Sequence, residues 1–300
     1  MYFHIQHSLQ YKYDRPVFLE PFVIRLRPRC NATQTLVSYA LTCDPLPTVY
    51  HEGTDACGNN IAVATFEEKH EYLTITAQTQ IRTLVEDPFD YIITDRNALT
   101  LPVCYSPSET AALTPFLQRL SKIEAVDNLA HLIKGKSESN TSNYLSELAD
   151  YIHENHKQLV RNEGEPWSPE VTLSRSEGAC RDFTVLFVDA CRAMGLAARF
   201  VSGYGYTPES KEPDHLHAWA EVYLPGAGWR GYDPTLGLAT ADHHVPLACG
   251  IDETGAAPTT GSFRSNKARS EFDFTLKIGV LSDKDANDVV TPTGHSEIMR

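Results

Sequence analysis

Nowhere in the 300 residues do about eighteen apolar side chains run together, so no segment reads as a membrane-crossing helix. The N-terminus, MYFHIQHSLQYKYDRPVF, has no basic stretch leading into a continuous apolar one and does not read as an export signal. Basic charge is scarce. Against 39 Asp and Glu stand 26 Lys and Arg, a formal charge of −13 that repels nucleic acid and anionic lipid, so neither is expected as a partner. The cysteines, at 30, 43, 57, 104, 180, 191 and 249, are odd in number, irregularly spaced and without a CxxC pair. With no export signal, this pattern excludes a disulfide framework and makes a reducing cytoplasm the expected location. Internal repeats are also lacking.

Three hundred residues exceed what one hydrophobic core needs, so two domains are expected. The first hundred alternate with period two. In YFHIQHSLQYKY, Phe3, Ile5, Leu9 and Tyr11 share one face and His4, Gln6, Ser8 and Gln10 the other. FVIRLRPR and EYLTITAQTQIRT repeat the pattern, and turn signals at DPLP (44–47) and DACGNN (55–60) separate the runs. This predicts half-buried antiparallel strands in a β-sandwich. From about 108 the period becomes helical, in SETAALTPFLQRL, EAVDNLAHLIK and NYLSELADYIHENH. The expected organisation is therefore α+β: an all-β domain over 1–105, a catalytic core of helices on an antiparallel sheet over 106–281, and a polar tail over 282–300.

Within the second part, SEGACRDFTVLF puts a cysteine where a helix begins. Phe183, Leu186, Phe187, Ala190 and Met194 form the buried stripe of that helix, and Gly195 suits its C-terminal end. Cys180 thus sits among free N–H groups at the positive end of the helix dipole. A thiol there loses its proton more easily than a free cysteine, and the same N–H groups can hold an oxyanion. The competing reading is ordinary packing, which we assign to Cys191 in mid-helix. Downstream, HAWAEVYL and WRGYDPT flank the turn PGAG as an antiparallel hairpin. His217 and Asp233 then lie near its open end, where a carboxylate can fix one imidazole tautomer and leave the other nitrogen facing a thiolate. Cys180, His217 and Asp233 are the candidate nucleophile, base and orienting group.

GACRDF, LHAWAEVYLPGAGWRGYDPT and HHVPLACGIDETGAAPTTGSF resemble the motifs of the transglutaminase-like superfamily. They are most similar to its bacterial branch of candidate cysteine proteases, in which an all-β domain precedes a papain-like core. The N-terminal YKYDRPV, RLRPR and DACGNN runs extend the resemblance to nearly the whole chain. It implies a papain-like α+β core in which a helix-borne cysteine faces a sheet carrying His and Asp, and by position it implies the triad Cys180, His217 and Asp233. Where that branch has an arginine after the histidine pair, this chain has Ile251.

Other residues carry weaker expectations. Trp167 is a candidate second oxyanion donor, Tyr204 a candidate wall of an acyl pocket, and Trp219 a cover over the imidazole; together they are the expected substrate contacts. Core packing is the competing reading for Tyr204 and Trp219. Asp182 is read as favouring the helix dipole rather than as a hydrogen-bonding group. His215 with His217, joined by Cys180 or His243 and His244, offers zinc ligands without regular spacing, and we expect no metal and no cofactor. The loop CGIDETGAAPTTG (249–261) fits a cleft wall. The predicted chemistry is hydrolysis of an amide in a peptide or protein substrate through a thioester. Acyl transfer to an amine and a non-catalytic binding module are the alternatives. Oligomeric state is not legible.

Overall fold

In the computed structural model of the chain, residues 1–281 are described apart from 120–121, 162–163, 209–213 and 266; the expected tail over 282–300 lies outside the described residues. Alternation yields strands β1 (Tyr2–Leu19), β2 (Phe22–Ile24), β3 (Gln34–Asp44), β4 (Val49–Thr54), β5 (Asn60–Thr65) and β6 (Lys69–Thr83). Helical periodicity yields α1 (Pro107–Leu117), α2 (Glu124–Lys136) and α3 (Thr141–Asn155). A short strand β7 (Lys157–Gln158), helix α4 (Pro169–Arg175), strand β8 (Glu177–Gly178) and helix α5 (Cys180–Ala193) follow. The remainder is β9 (Ala198–Gly205), β10 (Leu216–Leu224), β11 (Gly228–Asp233), β12 (Leu238–Ala239), β13 (His244–Gly250), α6 (Glu253–Ala256), β14 (Thr259–Thr260), β15 (Phe263–Arg264) and β16 (Ser270–Val280).

Two antiparallel sheets, β15-β1-β6-β3 with β16 also on β1, and β14-β2-β5-β4, enclose one core. Phe3, Ile5 and Leu9 from β1 meet Phe22, Ile24, Leu73 and Ile75 there, as the period-two pattern requires. The chain crosses the expected boundary near 105 twice. Strands β14, β15 and β16, from the far end of the sequence, pair with β2 and β1, with Phe3 opposite Val280 and Tyr11 opposite Phe272. A strand of 18 residues bonded along one edge to β6 leaves its other edge open, and β16 satisfies those backbone groups.

The second core lies between a sheet of order β12-β11-β10-β9-β13 and helices α2, α3 and α5. Leu145, Leu148 and Ile152 of α3 and Phe183, Leu186 and Phe187 of α5 are buried in it against Ala220 and Val222 of β10. Helix α5 stops as predicted, with Gly195 at φ 75°.

Strand β13 joins the two cores. The Asn59 side chain accepts from the Cys249 N–H at 2.8 Å and donates to its carbonyl at 2.7 Å, and Gln34 donates to the Pro246 carbonyl at 2.8 Å. His7, on the buried face of β1, meets the Tyr204 hydroxyl at Nδ1, 3.2 Å away. Burial pulls His7 down to about 4 from 6.5, so it is neutral in the fold at neutral pH. A histidine held low in the fold binds fewer protons folded than unfolded, so stability falls as pH drops below 6.5. Between pH 7 and pH 5 the expected loss from His7 is about 2 kcal/mol. Thermal denaturation of His7→Gln, which never protonates, should lack that component.

Candidate active site

Helix α4 and strand β8 deliver Cys180 to its place. Ser168 caps α4, accepting from the Val171 N–H at 3.4 Å, and Pro169 opens its first turn. Gly178 then passes close under α5, where a Cβ would stand 3.0 Å from Asp182 Cβ and from Phe183 Cε1. Asp182 is fully buried and pins this passage. Its carboxylate accepts from the N–H of Ala179, the N–H of Trp167 and the Arg161 guanidinium, each at 2.7 Å. Asp182 is therefore a hydrogen-bonding anchor as well as an anion at a helix start. It ties the chain before α4 to the cysteine's own turn. Cys180 is the first residue of α5, and its N–H has no intrahelical acceptor.

Across from Cys180, His217 occupies the start of β10 and Asp233 the end of β11. The hairpin register, with Ala220 opposite Tyr232 and Leu224 opposite Gly228, puts both near the open end, as expected. His217 Nε2 lies 2.6 Å from Asp233 Oδ2, and Cys180 stands beside the imidazole, near enough to favour its charged form. With Nε2 on the carboxylate, Nδ1 is left for the sulfur. Burial opposes a charge on His217, but the charge and hydrogen bond of Asp233, together with Cys180, outweigh it and raise the imidazole well above 6.5. Burial likewise opposes ionisation of Asp233, yet the two histidines hold its carboxyl far below the ordinary range.

The second of these histidines was not assigned this part from the sequence. His244, at the start of β13, reaches Asp233 Oδ2 at 3.1 Å, while Oδ1 accepts from the N–H groups of Thr235 at 2.8 Å and Leu236 at 3.2 Å. The carboxylate is thus held on both oxygens. His244 Nδ1 is buried without a partner among the described residues, so the tautomer with its proton on Nε2 suits the site best, leaving only a lone pair unmet. Replacing His244 by Phe removes a donor to an ionised group, and a loss of about 1.5–3 kcal/mol is expected in thermal unfolding.

The three expected substrate contacts are placed elsewhere. Trp167 gives its main-chain N–H to Asp182, so that group is not an oxyanion donor; its ring is stacked between Arg161, 4.4 Å from the centroid, and Arg175, 4.6 Å away. Tyr204 shares a strand face with Phe200 and Ser202, but lies further along β9, where β1 covers it completely. Trp219 is buried behind the imidazole, 6.2 Å from its centroid, and stands edge-on to His244 at 5.2 Å. It packs against the imidazole and is not part of the groove lining. His215 and the loop after β13, through Ala256, Ala257 and Pro258, do line the groove beside Cys180. Ile251 lies outside it, its carbonyl taken by Arg192 at 2.6 Å.

Ligand atoms of His217, Asp233 and His244 fall within 4.8 Å of one another. Both imidazoles, however, point Nε2 at the same carboxylate oxygen, so a cation there would have to displace two hydrogen bonds. His243, an optional member of the zinc set weighed above, has its Nε2 4.0 Å from Asp242.

Comparison with known proteins accords with this architecture. Residues 3–82 match the family model of the bacterial transglutaminase-like N-terminal region, and residues 127–234 that of the transglutaminase-like superfamily. Uncharacterized protein Rv2569c of Mycobacterium tuberculosis is 27% identical over 309 aligned positions, covering 92% of each chain. Uncharacterized protein ML0607 of Mycobacterium leprae is 25% identical, covering 93% of this chain and 98% of its own. The crystal structure of a candidate cysteine protease from Cytophaga hutchinsonii superposes with a TM-score of 0.70 at 22% identity, over 94% of this chain and 91% of that one. That superposition establishes a shared fold.

Proposed function

From the premise that the chain belongs to the transglutaminase-like superfamily, we propose that it hydrolyses an amide bond in a peptide or protein substrate through a Cys180 thioester. The observation that carries this reading is the His217–Asp233 hydrogen bond with Cys180 beside the imidazole, both Cys180 and His217 lining one groove. The Cys180 sulfur, as a thiolate whose proton is held on His217, attacks the carbonyl carbon, and the Cys180 N–H stabilises the oxygen's developing charge. The charged His217 gives its proton to the leaving amine as the C–N bond breaks. Water then loses a proton to the neutral imidazole and adds to the thioester, releasing the acid and the Cys180 thiolate and restoring the charged imidazole. Hydrolysis is favoured over transfer because it needs only water beyond the groups named. The seven free cysteines suit a reducing, cytoplasmic setting.

Incubation with a glutamine-containing peptide and a primary amine, followed by mass spectrometry, separates the two outcomes. Deamidated or cleaved peptide supports hydrolysis, and an amine-linked product assigns acyl transfer. A non-catalytic module would show neither product, and iodoacetamide would label Cys180 no faster than the exposed Cys30 and Cys104.

A further inference from the structure

The groove beside Cys180, of about 290 Å³, is walled on one side by a strand from the other sheet system. Phe272 and Phe274 project into it from β16, which pairs with β1 and not with the sheet that carries His217. Their rings stack, 6.3 Å apart at 24°, and Tyr11 supports Phe272 from behind at 5.1 Å. Val160, after β7, and Phe200 of β9 also line the groove. Two of these large apolar side chains remain open to solvent: Val160 is 74% exposed and Phe272 38%. Exposed apolar surface of this size beside a nucleophile is the pattern of a binding site, since each wall gains burial only when an apolar guest enters.

Part of the polar lining, including the Arg181 guanidinium, which donates to the Arg161 carbonyl at 2.6 Å, is held by other contacts. The Arg161 guanidinium is tied to Asp182, and the Ser202 hydroxyl donates to the Ala256 carbonyl. Glu253 adds a carboxylate to the lining alongside the guanidinium groups of Arg161 and Arg181, so its charge is mixed. A charged side chain would give up hydration against the aromatic wall, and a small one would leave that wall wet.

We propose that Phe272 and Phe274 select substrates with a bulky aromatic or aliphatic residue on the acyl side of the scissile amide, within two residues of it. The N-terminal sheet system, through β16, then forms part of the substrate site. This rests on the proposed chemistry at Cys180, and the test keeps the two apart. Peptidyl chloromethyl ketones bearing Phe, Leu, Ala or Asp at the residue carrying the reactive group, or at the one before it, are compared by their rate of labelling Cys180. Iodoacetamide, which has no side chain, reports the thiol alone.

The Phe and Leu probes should exceed Ala by about tenfold to a hundredfold at one of the two positions, with Asp slowest. Phe272→Gln should reduce that preference at least fivefold with the iodoacetamide rate unchanged, which shows that the fold and the nucleophile are intact. If Phe272→Gln fails to fold, Phe274→Leu serves, with Phe probes losing more than Leu probes. Equal rates across the series, or a preference for Asp, overturn the wall proposal while fast iodoacetamide labelling leaves the chemistry standing. Slow iodoacetamide labelling, no faster than at Cys30, overturns the chemistry itself.

Discussion

Cys180→Ala is expected to abolish turnover, by about 10⁶-fold, and to leave the fold in place. The sulfur is half-buried at a helix start and packs against the small cluster of Phe200, Ala218 and Ala256, so its removal opens no large cavity. Thermal stability should stay within about 1 kcal/mol of the parent. Cys191, fully buried in the main core, gives the opposite pattern. Its replacement by alanine should cost about 1–3 kcal/mol while activity per folded molecule persists. A Cys180→Ala protein that kept hydrolysing peptide would remove the nucleophile from the mechanism.

Asp233→Asn should lower the rate by about 10⁴-fold with the geometry nearly preserved. An asparagine amide facing His217 Nε2 donates where the carboxylate accepted, which favours the imidazole tautomer with its proton on Nδ1. That nitrogen then points a proton at Cys180 and has no lone pair to take one. Burial, no longer opposed by the Asp233 charge, also pulls His217 down. The pH dependence of stability follows the same change. His217 is raised in the fold, so its contribution is complete below about 6.5 and is lost as pH rises through the raised value. Asp233 is depressed, so its contribution is present above about 3.8 and fades as pH falls toward the depressed value. The pair therefore supports the fold fully between those two pH values. Asp233→Asn should abolish the decline on the alkaline side, which denaturation midpoints across pH 5–9 would register.

Much of this site is legible in the sequence because its parts obey local rules. A stripe of period 3.6 fixes where α5 begins, and so where Cys180 stands; a short turn fixes the hairpin, and so brings Asp233 to His217. What escapes is whatever depends on a distant covering element. Tyr204 has the alternation of a groove residue, but β1, nearly two hundred positions earlier, seals that end of β9. Trp167 is in place to donate until Asp182 takes its N–H. His244 reaches Asp233 from β13, which is separated from β11 by two strands of the sheet. The alternation of Phe272, Phe274, Leu276 and Ile278 marks a strand, yet nothing local assigns its partner as β1. Pairing across such a separation is set by an open edge elsewhere in the chain, which no short window of sequence displays.

The central claim is that His217 stands charged between a carboxylate and a sulfur, and its imidazole titration by NMR tests this most directly. In the parent protein the ring should keep its proton well above pH 6.5, and in Cys180→Ser and Asp233→Asn the midpoint should fall, further in the latter. A midpoint at or below 6.5 in the parent, unmoved by either substitution, would contradict it.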